Sequence, residues 1–188
     1  MANIDLTHHS AADLGDVRPI LLEVYAEVYA RDLDGPFGSV AAFARRLDGY
    51  AAAPGFACAI GVEHGTVVGY AFGYPLPVGA RWWLGLTDPV PAAEIAETGR
   101  RTFALNELMV RAPWRGTDAA HTIHEALVAG RAEERVTLLV DPTHPKVLAL
   151  YRRWGYRVLS DLRPAWPDAP LLTVMLREPI SGGCGAEP

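Results

Sequence analysis

Three groups of residues in this sequence have the types and spacing to do chemistry. The first is LMVRAPWRGTDAA, residues 108–120. An apolar run gives way to a short basic turn, then to small residues (Gly116, Ala119, Ala120) that open a helix. Small residues let a bulky anion reach the backbone, helix-start N–H groups point at it, and the helix dipole favours negative charge there. Arg115 and Arg111 add positive charge. Taken alone, the segment reads more simply as a strand-to-helix turn in which glycine supplies the bend. The second group is Asn106 and Glu107 in TFALNELMVR, residues 102–111, the strongest candidate for a central strand. Strand alternation puts Leu105, Glu107 and Met109 on one face and Asn106, Leu108 and Val110 on the other. A half-buried strand carboxylate is either paired, with an arginine such as Arg101, or functional. Asn106 either binds a ligand or satisfies backbone groups. The third group lies in three loops: Asp32 and Asp34, Trp82 and Trp83, and Trp166. Aromatic rings with a few carboxylates suit a cationic or amphipathic amine, and the tryptophans equally suit the packing of a lid.

Other candidates carry less. His121 and His124 are spaced to share a helical face, but their spacing with Glu125 matches neither zinc-protease pattern, so no metal is expected. They read as surface residues, or as residues at the edge of a ligand held by the basic turn. Cys58 and Cys184 stand far apart, with no spacing for a metal knuckle or a disulfide framework.

The elements that must position these residues follow from periodicity and breakers. Residues 4–7 form a short strand. Apolar positions at helical spacing over 17–29 predict a helix that Asp16 can cap, and Ser39 caps a second helix running to about 49. Residues 56–62 and 66–74 are two strands joined by a tight turn at Glu63-His64-Gly65. The proline-rich stretch 75–98 reads as a long loop with a short helix at 92–97, and loops of that length are usually lids or binding loops. After the strand at 102–111 come a helix over 119–130, a doubly buried strand at 135–140, a helix from Pro145 to about 155, and strands at 156–162 and 171–176. Early hairpins followed by strand–helix–strand crossovers indicate a mixed sheet flanked by helices.

Length and composition bound the class. With 188 residues the chain fits one domain, taken as residues 1–179, with an insertion or lid at 76–101 and a disordered Gly-rich tail at 180–188. Apolar residues are 50% and charged residues 21%, the mix of a folded globular protein. A net charge of −5 argues against a nucleic-acid binder. The amino-terminal segment is polar and lacks the apolar stretch of a signal peptide, and no apolar run approaches the roughly 18 residues of a membrane span. A cytoplasmic protein with no membrane partner is expected. The single lysine, Lys146, among 17 basic residues and the abundant alanine point to a GC-rich bacterial genome.

A second segment gives the first its meaning. DPTHPKVLALYRRWGYRVL, residues 141–159, contains the helix end Tyr151-Arg152-Arg153-Trp154-Gly155-Tyr156. Together the two segments resemble the GNAT superfamily of N-acetyltransferases. That family's acyl-CoA loop, (Gln or Arg)-x-x-Gly-x-(Gly or Ala), falls on residues 115–120. Its later signature, Asn-x-x-Ala-x-x-Leu-Tyr-x-x-x-Gly-(Phe or Tyr), falls on residues 144–156, where Leu150, Tyr151, Gly155 and Tyr156 match. Asp118 stands where the family prefers Gly, and His144 and Val147 stand where Asn and Ala are usual. The element order agrees from residue 4 to residue 176.

The resemblance implies an α/β (α+β) fold with a mixed, mostly antiparallel sheet, a splayed parallel pair and flanking helices. It implies acetyl-CoA as acyl donor and a primary amine, on a small molecule or a protein, as acceptor, joined by direct attack in a ternary complex. The pantetheine arm would run along Leu108, Met109, Val110 and Arg111, with the Val110 N–H polarising the thioester carbonyl. Backbone N–H groups of Arg115, Gly116, Thr117, Asp118, Ala119 and Ala120 would hold the pyrophosphate, and His144 would sit by the cofactor. Asp118 would repel the pyrophosphate unless it turns away to cap the helix. Tyr151 would protonate the leaving thiolate, since a phenol of ordinary pKa, about 10, holds its proton at neutral pH; read without the family it is a core aromatic. Glu107 would serve as general base through a water. Asp32, Asp34, Trp82, Trp83, Asn106 and Trp166 would contact the acceptor. Arg152 and Arg153 either meet the nucleotide or form a solvated helix face. The chain would be a monomer or homodimer. The alternative is an acyl-CoA-binding or sensing domain of weak activity on the same fold.

Overall fold

The computed structural model describes residues 4–30, 38–165 and 169–180. Its strands are β1 (Asp5–Ser10), β2 (Ala57–Glu63), β3 (Thr66–Pro75), β4 (Thr102–Val110), β5 (Arg135–Val140), β6 (Arg157–Leu162) and β7 (Leu172–Arg177). They hydrogen-bond in the order β1-β2-β3-β4-β5-β7-β6. β4 and β5 are parallel, and β1–β2, β2–β3, β5–β7 and β6–β7 are antiparallel. This is the mixed, mostly antiparallel α/β arrangement expected. Residues cluster into two compact units, 1–74 with 105–127, and 75–104 with 128–188.

In the first unit, helices α1 (Leu14–Val28) and α2 (Val40–Ala51) cover one face of the β1–β3 hairpins. α1 starts earlier than periodicity predicted, because a 3-10 turn at Ala11–Asp13 leads into it. Ser10 caps that 3-10 turn in a reciprocal capping box with Asp13; Asp13 then stands at the start of α1 without a side-chain cap bond, and Asp16 lies inside its first turn. Ser39 caps α2 as expected, accepting from the Ala42 N–H at 3.3 Å. The core joins Leu21, Val24 and Tyr25 of α1, Phe43 and Leu47 of α2, Phe56 before β2, and Tyr70 and Phe72 of β3. Tyr25 and Phe43 stack with ring centroids 3.9 Å apart. The β2–β3 turn is two residues, His64 (φ 49°) and Gly65 (φ 78°). Both lie in the left-handed region that this tight hairpin turn demands.

In the second unit, the first residues of β4 pair in parallel with β5, Thr102 with Arg135 through Ala104 with Thr137. Helix α3 is a single turn (Ala92–Ile95) and α5 spans Pro145–Arg153. The expected lid at 76–101 is tied down at two places. Leu86 bridges Leu162, and Arg163 N–H bonds Gly85 O at 2.9 Å, so residues 85–87 run along the outer edge of β6. That covers an otherwise exposed sheet edge. Beneath, Arg135 is fully buried and donates to Thr102 Oγ1 (2.7 Å), Glu94 O (2.7 Å) and Glu97 Oε1 (3.2 Å). Glu97 Oε1 also accepts from the Trp83 indole at 3.1 Å and from Thr102 at 2.7 Å. Loop, α3 and two strands thus share one buried ion pair. Ile180 falls outside the expected tail: it is buried, donates to Glu134 O at 2.9 Å and accepts from Arg177. Residues 181–188, with Cys184, lie outside the described residues, as do Asp32, Asp34 and Trp166.

Candidate active site

The basic turn joins β4 to helix α4 (Ala119–Val128) through a 3-10 turn at Ala112–Trp114. Gly116 takes φ 80°, a conformation that side-chain-bearing residues rarely adopt. Within the turn, the N–H groups of Arg115, Thr117 and Ala119 bond to Ala112 O, Trp114 O and Thr117 Oγ1. Those of Gly116, Asp118 and Ala120 have no bond among the described residues. Gly116 and Asp118 lie on the wall of a cavity of about 470 Å3 bounded by Ile4, Gly116, Thr117, Asp118, Ala119, His121 and Thr122. This is a helix start with unused donors facing open space, the arrangement suited to an anion.

The charged neighbours differ from expectation. Thr117, and not Asp118, makes the side-chain bond at the helix start, at 3.2 Å to Ala119 N. The exposed Asp118 carboxylate makes no hydrogen bond among the described residues and stands on the cavity wall. Arg111 does not reach the turn: its guanidinium bonds Glu23 and lies 3.4 Å from Glu27, neighbours one helical turn apart on α1. Arg115 folds back to Val110 O, its Nε donating at 3.0 Å. His121 borders the cavity with its Nε2 3.7 Å from Glu125, while His124, read as a surface residue, is fully buried with Nδ1 2.9 Å from the same carboxylate. Among the described residues no group of three His, Cys, Asp or Glu side chains is placed to hold a metal ion.

Upstream, the end of β4 offers backbone groups. Arg111 N–H bonds Val68 O at 2.9 Å. In an antiparallel ladder the next residue points its amide the other way, so Val110 turns its N–H away from β3. Gly69 makes this close approach feasible, since a Cβ there would overlap the Met109 carbonyl oxygen. Met109 itself is buried, its sulfur accepting from the Tyr70 hydroxyl at 3.2 Å. Leu108 is half-buried.

Asn106 and Glu107 do not alternate as expected. Leu76 N–H bonds Thr102 O, whereas Arg111 N–H bonds Val68 O, and the two ends of this ladder are out of register by one residue. An extra residue in one strand turns two neighbours to the same face. Accordingly Asn106 opposes the upward push of burial on the Tyr74 hydroxyl, its own buried Oδ1 having no partner among the described residues, and Glu107 acts electrostatically on Tyr50 and Tyr70. Tyr50 packs against Tyr74 (centroids 6.3 Å) and Phe72 (5.8 Å), which places all of these on the α1–α2 side. Glu107 does not pair with Arg101, whose partners are Ala93 O, Ala96 O and Glu134. Its side chain stays partly open, yet it sits deep among protein atoms. Burial pushes its carboxyl up to about 7, with the charge of Arg46 pulling the other way. Burial and the Glu107 charge together hold the Tyr50 hydroxyl at about 12. Sequence reading missed Arg46, Tyr50, Tyr70 and Tyr74. The signal was present in GYAFGY, residues 69–74, where aromatic residues at every second position must share a face.

In the second unit, Tyr151 is 8% exposed near the end of α5 and meets Trp154 and Tyr156 edge-on, at 5.2 and 5.4 Å. His144 is exposed at the start of α5, its Nδ1 3.5 Å from Asp141. Arg152 and Arg153 are exposed on its last turn. Trp83 is buried with its N–H on Glu97, so it holds the loop. Trp82 is half-buried, and its indole nitrogen has no partner among the described residues.

No protein-family model and no curated protein matches the sequence. Solved structures do match. An acetyltransferase from Thermus thermophilus superposes with TM-score 0.62 at 21% identity, covering 95% of this chain and 99% of that one. A GNAT superfamily phosphinothricin acetyltransferase from Sinorhizobium meliloti, in complex with AcCoA, gives 0.60 at 18% identity over 98% and 93%. A ribosomal-protein-alanine N-acetyltransferase from Brucella melitensis gives 0.58 at 18% identity over 93% and 99%. The chain has the GNAT acetyltransferase fold. No helix among its described residues is long and apolar enough to cross a membrane.

Proposed function

We propose that the chain is an acetyl-CoA-dependent N-acetyltransferase acting on a primary amine. The observation that carries this is the turn at residues 115–120, where two residues whose backbone N–H groups have no bond among the described residues, Gly116 and Asp118, border a cavity at a helix start. It sits where the acyl-CoA loop of the resembled family falls, in a chain of the same fold. The N–H groups of Gly116, Asp118 and Ala120 hold the pyrophosphate, and the thioester supplies the activated acetyl group. The amide of Val110, facing away from β3, donates to the thioester carbonyl oxygen, where negative charge develops. Glu107, with its carboxyl near neutrality, takes the proton that the acceptor ammonium must lose before attack, directly or through one water. Asn106 orients the amine. Tyr151 delivers a proton to the departing thiolate, a role it takes from the resemblance. One proton goes from the ammonium to Glu107 before attack, the second leaves the nitrogen as the adduct collapses and restores the Tyr151 phenol through solvent, and the acetyl group passes by direct attack with no covalent enzyme intermediate. The buried Cys58 fits that route: burial pushes its thiol up to about 12, the reverse of an activated nucleophile.

The test is thiol release from acetyl-CoA against a panel of primary amines. Amine-dependent release supports the assignment. Acetyl-CoA binding without release on any amine would instead indicate a sensing domain.

A further inference from the structure

Helix α5 ends in a turn that fixes Tyr151 through both its backbone and its ring. The Gly155 N–H bonds Arg152 O at 3.1 Å and the Tyr156 N–H bonds Tyr151 O at 3.0 Å, with Gly155 at φ 88°. These are the paired bonds of a Schellman turn, in which glycine takes the left-handed position and the next residue packs back on the last helical turn. Tyr156 does so, its ring centre 5.4 Å from that of Tyr151. The Trp154 N–H also bonds Tyr151 O at 3.0 Å, and the Trp154 ring meets the phenol ring edge-on at 5.2 Å. The place of Tyr151 therefore depends on residues 154–156. Those three residues are held in turn by the buried Arg177 at the end of β7. Its Nη1 donates to Trp154 O at 3.3 Å, its guanidinium lies 5.5 Å from the Tyr156 ring centre, and its Cδ is 3.5 Å from where a Cβ on Gly155 would stand. A cation closing the last carbonyls of a helix is also favoured by the dipole. Arg177 is itself fixed: its backbone pairs opposite Val136 of β5, its Nη2 donates to Ile180 O, and the Ile180 N–H bonds Glu134 O at 2.9 Å. Sheet, guanidinium, turn and Tyr151 form one continuous chain of contacts.

We infer that Arg177 is a positioning residue for acetyl transfer, holding the end of α5 in the geometry from which the Tyr151 phenol gives up its proton. This rests on the acetyltransferase reading above and on the acid role given there to Tyr151. Arg177 exchanges no proton itself and acts through residues 154–156. Burying a guanidinium is costly, and a helix end can be closed without one. What a guanidinium adds is a rigid planar fork, here spent on two carbonyls, Trp154 O and Ile180 O, which sets direction as well as distance. Direction matters for proton transfer: a misplacement of about 1 Å costs on the order of 10²-fold in rate.

The experiment measures kcat and KM for amine-dependent CoA release by the full chain, using the best amine of the panel, at a temperature below the melting point of every variant. Arg177→Lys and Gly155→Ala are each made in the parent and in the Tyr151→Phe background. Lysine keeps the charge and loses the fork. Alanine at the exposed Gly155 strains the same turn from its solvent side, and reads the clamp even where Arg177→Lys fails to fold. In the parent background each substitution should lower kcat at least about tenfold, with KM for acetyl-CoA and amine within about twofold. In the Tyr151→Phe background each should change kcat by less than about twofold, because no phenol proton is left to position. Equal kcat losses in both backgrounds, a change confined to KM, or a lower melting point with kcat kept would make the contact merely structural and overturn the inference. Tyr151→Phe turning over like the parent would overturn it too, and the acetyltransferase stands in each of these cases. No amine-dependent release from the parent overturns both.

Discussion

Glu107→Gln removes a titrating carboxylate and keeps its shape. The carboxyl rises from an ordinary 4.5 to about 7 in the folded chain, chiefly through burial. Between those pH values the folded state holds a proton that the unfolded state has released. Stability is therefore full below about 4.5, falls as pH rises, and reaches its lower plateau above about 7. At about 1.4 kcal/mol per pKa unit the loss is about 3 kcal/mol, an upper bound because the side chain keeps part of its surface in water. The glutamine variant carries no such penalty. At pH 8 it should melt up to about 10 °C above the parent, given roughly 2–4 °C per kcal/mol for a chain of this size. At pH 4.5 the two should melt together. CoA release at pH 8 should fall by about 10²-fold or more, the usual worth of a positioned base, with acetyl-CoA affinity unchanged. The parent's kcat/KM should show an acid limb near pH 7 that the variant lacks. Differential scanning calorimetry at both pH values and steady-state kinetics read all of this. A lower melting point at pH 8, a pH-independent difference, or unimpaired turnover would refute the reasoning.

Asp118→Gly should tighten acetyl-CoA binding several-fold in a calorimetric titration, more at low salt, because the carboxylate stands on the cavity wall without a capping bond. Tyr151→Phe should lower turnover and leave acetyl-CoA affinity within about twofold, since only the transferable proton is lost; equal turnover removes it from the acid role. Arg135→Met leaves Glu97 buried without its partner and should cost about 3–5 kcal/mol by chemical denaturation, with part of the loss restored in the double variant with Glu97→Gln.

Much of the fold was legible because its elements obey simple periods. β5 spans the doubly buried strand that was expected, Ser39 caps α2, and His64-Gly65 turns the hairpin. The strand-to-helix turn was legible because glycine, small residues and a helix start coincide at 115–120. What escaped depended on tertiary context. Strict alternation separated Asn106 from Glu107, and a one-residue slip, invisible in residue types, brought them together. Arg111 read as positive charge added to the basic turn, and α1 places Glu23 and Glu27 against it instead. Trp83 read as a substrate contact because a tryptophan in a proline-rich loop looks exposed, and a buried carboxylate 14 residues on holds its N–H. The capping role passed from Asp118 to Thr117 because either residue type suits a helix start and only the turn's geometry decides between them.

The most direct measurement is a crystal structure grown with coenzyme A and refined around residues 108–120. The account predicts the diphosphate oxygens on the N–H groups of Gly116, Asp118 and Ala120, and the pantetheine arm beside the Val110 amide. Nucleotide bound elsewhere, or a cavity left to solvent at saturating coenzyme A, would contradict it.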